Sequence, residues 1–456
     1  MAVPKPSVGE SISQSLQVWQ LQGHAWWNPI SGLVFFLMRP FIFREAVQAN
    51  SGAYLYHKRA VFGDNFCCAG GVWLGEFKEV ERALTQPQAR EFRLAPTPLD
   101  TEHLPSTSEG GRLTFLLALS QKEVGGDGSW EAFRGAVNDM LTQNKETIRR
   151  QKDGTAQALR KKLVAEYKDM GHTKEFFENP DRGLRAFLLR YLHYVIMGLD
   201  PNDKEKMETL TNLHYDSKSA AYHLKVAGNL FQSLKFKKWP EMFQKAAKIY
   251  EESPAISMLP EGDPKYMNMT KHELGLLMVS LMALAGMIGP ITLAVIALGH
   301  RELNDYEGKE TGNIDVVKIW DKLNIEDRDE VKRYLFECGR LRNPVSNSHR
   351  VSTEPFTVKI RGKERTFPKG TTIFIPMLFG GLDEGFWGPT TFDFDHNREN
   401  LCPYAMMFHS VGDRSAGRIC PGRDIAVEML VNVLIDLGEV RREKMQKMGT
   451  KSYGTL

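Results

Sequence analysis

The chain has 456 residues, enough to bury a large core, so small scaffolds held together by disulfides or a metal are excluded. Apolar residues make up 42% and charged residues 25%, with 39 Gly and 22 Pro, which excludes collagen-like, low-complexity and wholly disordered classes. Lys and Arg (59) nearly balance Asp and Glu (56), and a net charge of +3 is too small to argue a nucleic-acid partner.

The opening MAVPKPSVGESISQ lacks a charged segment followed by an apolar one, so no signal peptide is expected. The run Gly32 to Met38 (GLVFFLM), closed by Arg39, is too short to span a bilayer. It reads as a buried N-terminal helix. The alternative is a membrane-surface position for 1–44, with Trp26, Trp27, Phe41 and Phe43 around the run. Residues 45–85 read as helix, then β-like pieces at Ala60-Val61-Phe62 and Gly71-Val72-Trp73-Leu74, then a helix carrying Glu79, Val80, Ala83 and Leu84. Apolar three-to-four spacing predicts helices in 129–168, 172–198, 203–235, 238–252 and 270–303, broken at Asp200-Pro201 and Ser253-Pro254. The last is apolar nearly all round from Leu274 to Leu298, so it runs through the interior. A further helix over 326–342 stops at Asn343-Pro344; 355–360, 364–370 and 371–377 read as β. A final helix runs from Arg423 to about Val440. No linker or repeat divides the chain, so the expectation is one domain over 1–456, mostly α with a minor β-rich region.

Cys67, Cys68, Cys338, Cys402 and Cys420 form no CxxC pair and no zinc spacing, and their odd number fits a reducing compartment. Cys420 stands apart, because Gly417-Arg418-Ile419-Cys420-Pro421-Gly422 is a glycine-flanked turn that opens a helix. Backbone N–H groups there and the adjacent Arg418 favour a thiolate, suited to metal ligation or nucleophilic attack; plain packing is the alternative. Upstream, Glu337 and Arg340 form an E-x-x-R pair on one helix face, Arg350 follows Pro344, and Arg398 closes an aromatic and acidic loop. Trp130 and Arg134 place an indole and a guanidinium one turn apart, able to grip a carboxylate.

In this order the motifs resemble those of the cytochrome P-450 (haem-thiolate) family. The resemblance implies haem b between the long central helix and the Cys-containing loop, with Cys420 as axial thiolate driving O–O cleavage. It further implies propionate contacts from Trp130, Arg134 and Arg418, a loop framed by Phe408 and Gly422, and a bracing cluster of Glu337, Arg340 and Arg398.

Two departures bear on function. Phe408 lies twelve residues before Cys420, so the haem loop is longer than usual in the family. In the central helix, Ala285-Gly286-Met287-Ile288-Gly289-Pro290-Ile291-Thr292 replaces the family's acid–alcohol pair. One register sets Ile288 and Gly289 there, and the other sets Ile291 and Thr292. No titratable residue stands between Glu273 and His300, so protons lack their usual route, while Pro290 removes a helix N–H and opens a kink. This pattern resembles allene oxide synthases, hydroperoxide lyases and fatty-acid peroxygenases. It implies a fatty-acid hydroperoxide substrate and no redox partner, with Cys420, Ile288, Gly289, Pro290 and Thr292 as the catalytic set.

Candidate pocket walls are Leu281, Leu284, Ile288 and Ile291 on the central helix and Phe374, Ile375, Pro376 and Met377 on the strand, with Phe62 and Phe66 nearer the N-terminus. For each, core packing is an equal alternative. His300 and His409 read as surface or core residues, and the basic 441–447 as a solvated helix end or a donor-docking face. No GxGxxG, P-loop, HExxH or GxSxG occurs, so no built-in nucleotide or reductase module is expected. Two other readings stay open: a reductase-dependent monooxygenase hydroxylating an apolar substrate, and a non-catalytic haem-binding relative. The expected location is cytoplasmic or at a membrane surface.

Overall fold

The computed structural model describes residues 5–22, 52–85, 89–91, 128–141, 145–214, 239–279, 281–282, 288–300, 314–345, 347–352, 354–401 and 420–452, with positions 33, 36, 37, 40–42, 44, 45 and 48. Helix α1 (Val8–Leu21) begins in a capping box, in which Ser7 and Glu10 satisfy each other's backbone N–H. The described positions between 33 and 48 are helical, and their apolar members Leu33, Phe36, Leu37 and Phe41 are exposed. The buried placement expected of this stretch is therefore corrected: the buried contacts go to Ile42 and Glu45 on its other side.

Helix α2 (Gly52–Phe62) contains Ala60-Val61-Phe62, which the sequence assigned to a β piece. Gly63, at φ 88°, ends the helix and its N–H returns to the Arg59 carbonyl at 2.8 Å, so these residues form a last helical turn despite their β propensity. Strands β1 (Asn65–Cys68) and β2 (Gly71–Leu74) are joined by Ala69 and Gly70, both at positive φ (54° and 77°), the geometry of a type I′ hairpin. Helix α3 (Phe77–Thr85) and strand β3 (Ala89–Glu91) follow.

The expected helix over 129–168 divides into α4 (Ser129–Leu141), a short helix Lys145–Arg150 and α5 (Gly154–Met170), the last capped by Asp153. The expected 172–198 helix becomes a short helix Lys174–Glu178, then α6 (Leu184–Leu192) and a π-type continuation, His193–Met197. Residues 204–214 are helical, and the rest of the expected 203–235 helix lies outside the described residues. Helix α7 (Trp239–Glu251) packs closely on α8 (Lys271–Val279), where a Cβ on Gly275 would stand 2.6 Å from the Ala247 carbonyl oxygen. Beyond α8, a π-type turn at Leu281 and Met282 precedes α9 (Ile288–Ala297), which Gly299 closes at φ 71°. The predicted 270–303 helix therefore stops short of 303, because the His300 N–H reaches back to the Val295 carbonyl at 2.9 Å as a helix end requires.

Helices α10 (Val316–Lys322) and α11 (Arg328–Leu341) lead into β4 (Asn347–Ser352), β5 (Phe356–Ile360), β6 (Lys363–Phe367) and β7 (Thr372–Pro376). Then come α12 (Met377–Gly381) and α13 (Arg423–Ser452), which runs past Val440 because the basic 441–447 keeps good helix formers. The main sheet has the order β1-β2-β7-β4-β3, with β2 and β7 parallel and its other pairs antiparallel; β5 and β6 form a separate hairpin. Buried apolar side chains from Val18 to Leu437 join one cluster. Polar ties fix helices across it: the Tyr334 hydroxyl donates to the Ala297 carbonyl at 2.6 Å, and the Trp320 indole donates to the Leu434 carbonyl at 3.2 Å. No helix among the described residues is long and apolar enough to cross a membrane.

Candidate functional site

Cys420 sits half-buried at the entry to α13, where the Arg423 N–H turns back to the Cys420 carbonyl at 3.4 Å. Burial pushes its thiol up. Against that act the backbone N–H groups of Gly422 and Arg423, which point at the sulfur, and the nearby Arg134 and Arg423 guanidinium charges. Cys67, Cys68 and Cys338 are fully sealed in the core, and burial drives their thiols far above the ordinary range. Among the described cysteines, Cys420 alone combines partial access with cations and N–H donors, the surroundings that favour a reactive or ligating sulfur. Arg423 was missed in the sequence, although its place at the first turn after Gly422 was the available signal.

Helix α4 brings Arg134 into electrostatic reach of Cys420, and Trp130, four residues earlier, is half-buried against the core. Arg418 and Phe408 lie outside the described residues, as do Cys402 and His409.

Glu337 and Arg340 form the buried brace. The Arg340 Nε and Nη2 donate to the two Glu337 carboxylate oxygens at 2.7 Å each, with both side chains wholly shielded. Arg340 Nη1 also donates to the Gly381 and Thr391 carbonyls at 2.7 Å. Glu337 Oε1 additionally accepts from the Asp395 N–H at 3.0 Å and from Arg398 Nε at 3.2 Å. Arg398 in turn donates to the Thr390 and Asp393 carbonyls. One helix turn thereby fixes the loop over 390–398, an arrangement suited to holding a neighbouring site rigid.

On α9, described from Ile288 onward, Pro290 is helical and brings no backbone N–H to the helix ladder. Residues 283–287, and with them Leu284, lie outside the described set. Ile291 is buried, and Pro290 and Thr292 are half-buried. Gly289 is buried, yet a Cβ built on it meets no atom within 4 Å: it borders an internal open space. The titratable residues flanking this segment are engaged elsewhere. Glu273 accepts from the Thr270 N–H at 2.8 Å and hydroxyl at 3.0 Å, while His300 stacks on Phe177 and contacts Glu178 at 3.2 Å.

The proposed pocket walls sit as follows. Leu281 is half-buried against the core. Phe374 stacks on Trp73 with centroids 4.6 Å apart and lies over Gly71, where a Cβ would come within 2.4 Å of its ring. Ile375 and Met377 are fully buried, Pro376 is buried at the end of β7, and Phe62 and Phe66 are buried, the latter stacked on Trp73. Packing accounts for each of these positions.

A helical body crossed by the α8–α9 segment, with a small mixed sheet and a cysteine turn before the last long helix, is the cytochrome P-450 fold. Solved structures share it over most of the chain at low identity. CYP164A2 of Mycobacterium smegmatis with econazole bound aligns with a TM-score of 0.53 at 14% identity, covering 93% of this chain and 92% of that one. BioI, a P-450 in complex with an acyl carrier protein ligated to hexadec-9Z-enoic acid, aligns with a TM-score of 0.53 at 14% identity, covering 82% and 85%. The bacillaene polyketide synthase P-450 PksS of Bacillus subtilis aligns with a TM-score of 0.51 at 14% identity, covering 80% and 81%. No protein-family model and no curated protein matches the sequence.

Proposed function

We propose that this chain is a haem-thiolate enzyme that isomerises, cleaves or takes oxygen from fatty-acid hydroperoxides without an external electron donor. The donor set fits haem: one half-buried cysteine whose sulfur feels the charges of Arg134 and Arg423, and on α4 an indole and a guanidinium spaced to hold carboxylates. Cys420 would ligate the iron, and Trp130, Arg134 and Arg418 would hold the propionates. Bound there, haem supplies an iron centre whose thiolate ligand favours O–O bond cleavage.

The observation that carries the hydroperoxide reading is Gly289. Where one register of the resemblance sets the proton-relaying alcohol, this helix has a buried glycine beside open space, and no carboxylate or imidazole on α9. An enzyme activating dioxygen needs timed proton delivery; a substrate that brings its own peroxide bond carries both oxidising equivalents and needs less of it. Ile291, buried on the same helix, keeps its surroundings apolar, which suits an acyl chain. BioI, bound to a carrier of a long-chain acyl group, supports the substrate class by fold analogy alone.

The monooxygenase reading rests on half-buried Thr292 and on one structural neighbour whose description names P-450-like monooxygenases. Anaerobic mixing of haem-loaded protein with a polyunsaturated fatty-acid hydroperoxide, without NAD(P)H, separates the two. The proposal expects rapid consumption of the peroxide, and little hydroxylation of the parent acid when a surrogate reductase, NADPH and dioxygen are supplied. The opposite pattern overturns it.

A further inference from the structure

Helix α4 carries Trp130 and Arg134 on one stripe, and the neighbouring stripe, with Gly135 and Asp139, is gripped from outside. The gripping element is the turn Pro264–Tyr266, just ahead of α8. Buried Tyr266 donates its hydroxyl to Asp139 Oδ2, and Lys265 Nζ donates to the same oxygen at 2.6 Å. At Gly135 the helix backbone lies against both residues: a Cβ there would stand 3.5 Å from Lys265 Cε and 3.8 Å from Tyr266 Cε1. Burial and the Asp139 carboxylate push the Tyr266 phenol up, so it keeps the proton it donates.

The turn is built to hold its shape. The Gly262 N–H closes its neck on the Met269 carbonyl at 3.4 Å, and inside it the Tyr266 and Asn268 N–H groups donate to the Asp263 carbonyl at 2.9 and 3.0 Å. The Asp263 side chain accepts from the Lys265 N–H at 2.8 Å. Met267 and Asn268 both stand at φ 54°, which side chains with a Cβ adopt where their surroundings dictate it, and such positions cluster at functional sites. Thr270 then starts α8 in a capping box: its N–H donates to Glu273 at 2.8 Å, and the Glu273 N–H donates to its hydroxyl at 3.2 Å. A rigid element thus restrains α4 one residue from Arg134, where any slide or rotation of the helix would carry the guanidinium with it.

We propose that Asp139 and Tyr266 are positioning residues that set Arg134, and with it Trp130, for the haem propionates. This rests on the propionate reading of Trp130 and Arg134 and is independent of the hydroperoxide chemistry. A carboxylate acting through Arg134 has a signature that its charge alone does not. Reduction adds negative charge to the haem, so a cation held beside it raises the reduction potential and an anion lowers it. Removing Asp139 as a mere charge should raise the potential, whereas releasing Arg134 should lower it.

Midpoint potentials of the full-length haem-loaded chain are measured by spectroelectrochemistry for wild type, Arg134→Gln, Asp139→Ala, Tyr266→Phe and the Arg134→Gln/Asp139→Ala double variant. Expected are negative shifts in Asp139→Ala and, smaller, in Tyr266→Phe, in the direction of Arg134→Gln, with no further negative shift when Asp139→Ala is added to Arg134→Gln. Haem transfer to apomyoglobin should be about tenfold faster in Asp139→Ala than in wild type. Tyr266→Phe keeps the ring and its packing, so its shift decides the matter if the alanine variant does not fold. A positive or zero shift in these two variants, beside a negative one in Arg134→Gln, overturns the proposal and leaves the propionate reading standing. A negative Asp139→Ala shift that persists in the double variant also overturns it, because the effect then bypasses Arg134. No shift in Arg134→Gln overturns the propionate reading and this proposal with it.

Discussion

Arg340 lays a two-pronged guanidinium on Glu337 while its remaining nitrogen spans to the Thr391 carbonyl, so one side chain joins α11 to the loop ahead of Arg398. The pair has no water to fall back on. Arg340→Ala should strip the buried Glu337 carboxylate of its bidentate partner, leaving it only the Asp395 N–H and Arg398, and should leave the Gly381 and Thr391 carbonyls without this donor, costing about 3–5 kcal/mol. Arg340→Lys keeps the charge but loses the fork, and should cost nearly as much. Urea unfolding of the haem-free variants measures both, and wild-type midpoints would mean that other donors replace the guanidinium.

Cys420 should be the thiolate ligand. The ferrous-CO complex is expected to show the red-shifted Soret band of thiolate ligation in wild type and in Cys338→Ser, and to lose it in Cys420→Ser. Arg134→Gln removes a positive charge that favours the thiolate, so the Cys420 thiol should rise further and alkylate more slowly at a given pH in haem-free protein. Unchanged alkylation kinetics would mean that Arg134 does not act on the sulfur.

The two ends of this site were not equally legible. Glu337, Arg340 and Arg398 could be read directly, because the i, i+3 spacing on a helix puts acid and base together and the fold buries that face. The orientation of the 33–48 segment could not. Its hydrophobic run has the composition of a core helix, and only the long-range bonds of Gln17 and Glu45 decide which face points in. The same holds for Ala60-Val61-Phe62, where Gly63 and the preceding helix outweigh local β preference. Strand β4 was also missed, since its partner β7 is distant in sequence and nothing in NSHRVS alternates in hydrophobicity.

Gly289 gives a test of the open space on α9. Gly289→Ala meets no neighbour and replaces a helical glycine, so it should raise stability by about 0.5–1 kcal/mol. Gly289→Leu should fill the space and weaken binding of long acyl ligands, read by equilibrium titration of the haem spectrum, with its unfolding midpoint close to wild type. Destabilisation by the alanine would mean that the space is closed in solution.

His193 predicts a pH dependence with a definite sign. It is fully buried; Nδ1 lies 2.8 Å from the Leu189 carbonyl and Nε2 lies 2.7 Å from the Tyr250 hydroxyl. A carbonyl only accepts, so Nδ1 carries the proton and the neutral ring takes the Tyr250 O–H at Nε2. Burial opposes a second proton, and the group is lowered from 6.5 to about 4, with the Leu189 contact pulling the other way. The unfolded chain therefore binds this proton first as pH falls. The stability that His193 contributes is complete above pH 6.5 and is lost between 6.5 and about 4, on the order of 3 kcal/mol in all. His193→Gln keeps hydrogen-bonding capacity without titrating. Its unfolding free energy, measured by urea titration from pH 7.5 to 4, should fall less steeply than wild type by about 1.4 kcal/mol per pH unit within that window. Parallel curves for the two proteins would place the acid sensitivity in the carboxylates instead.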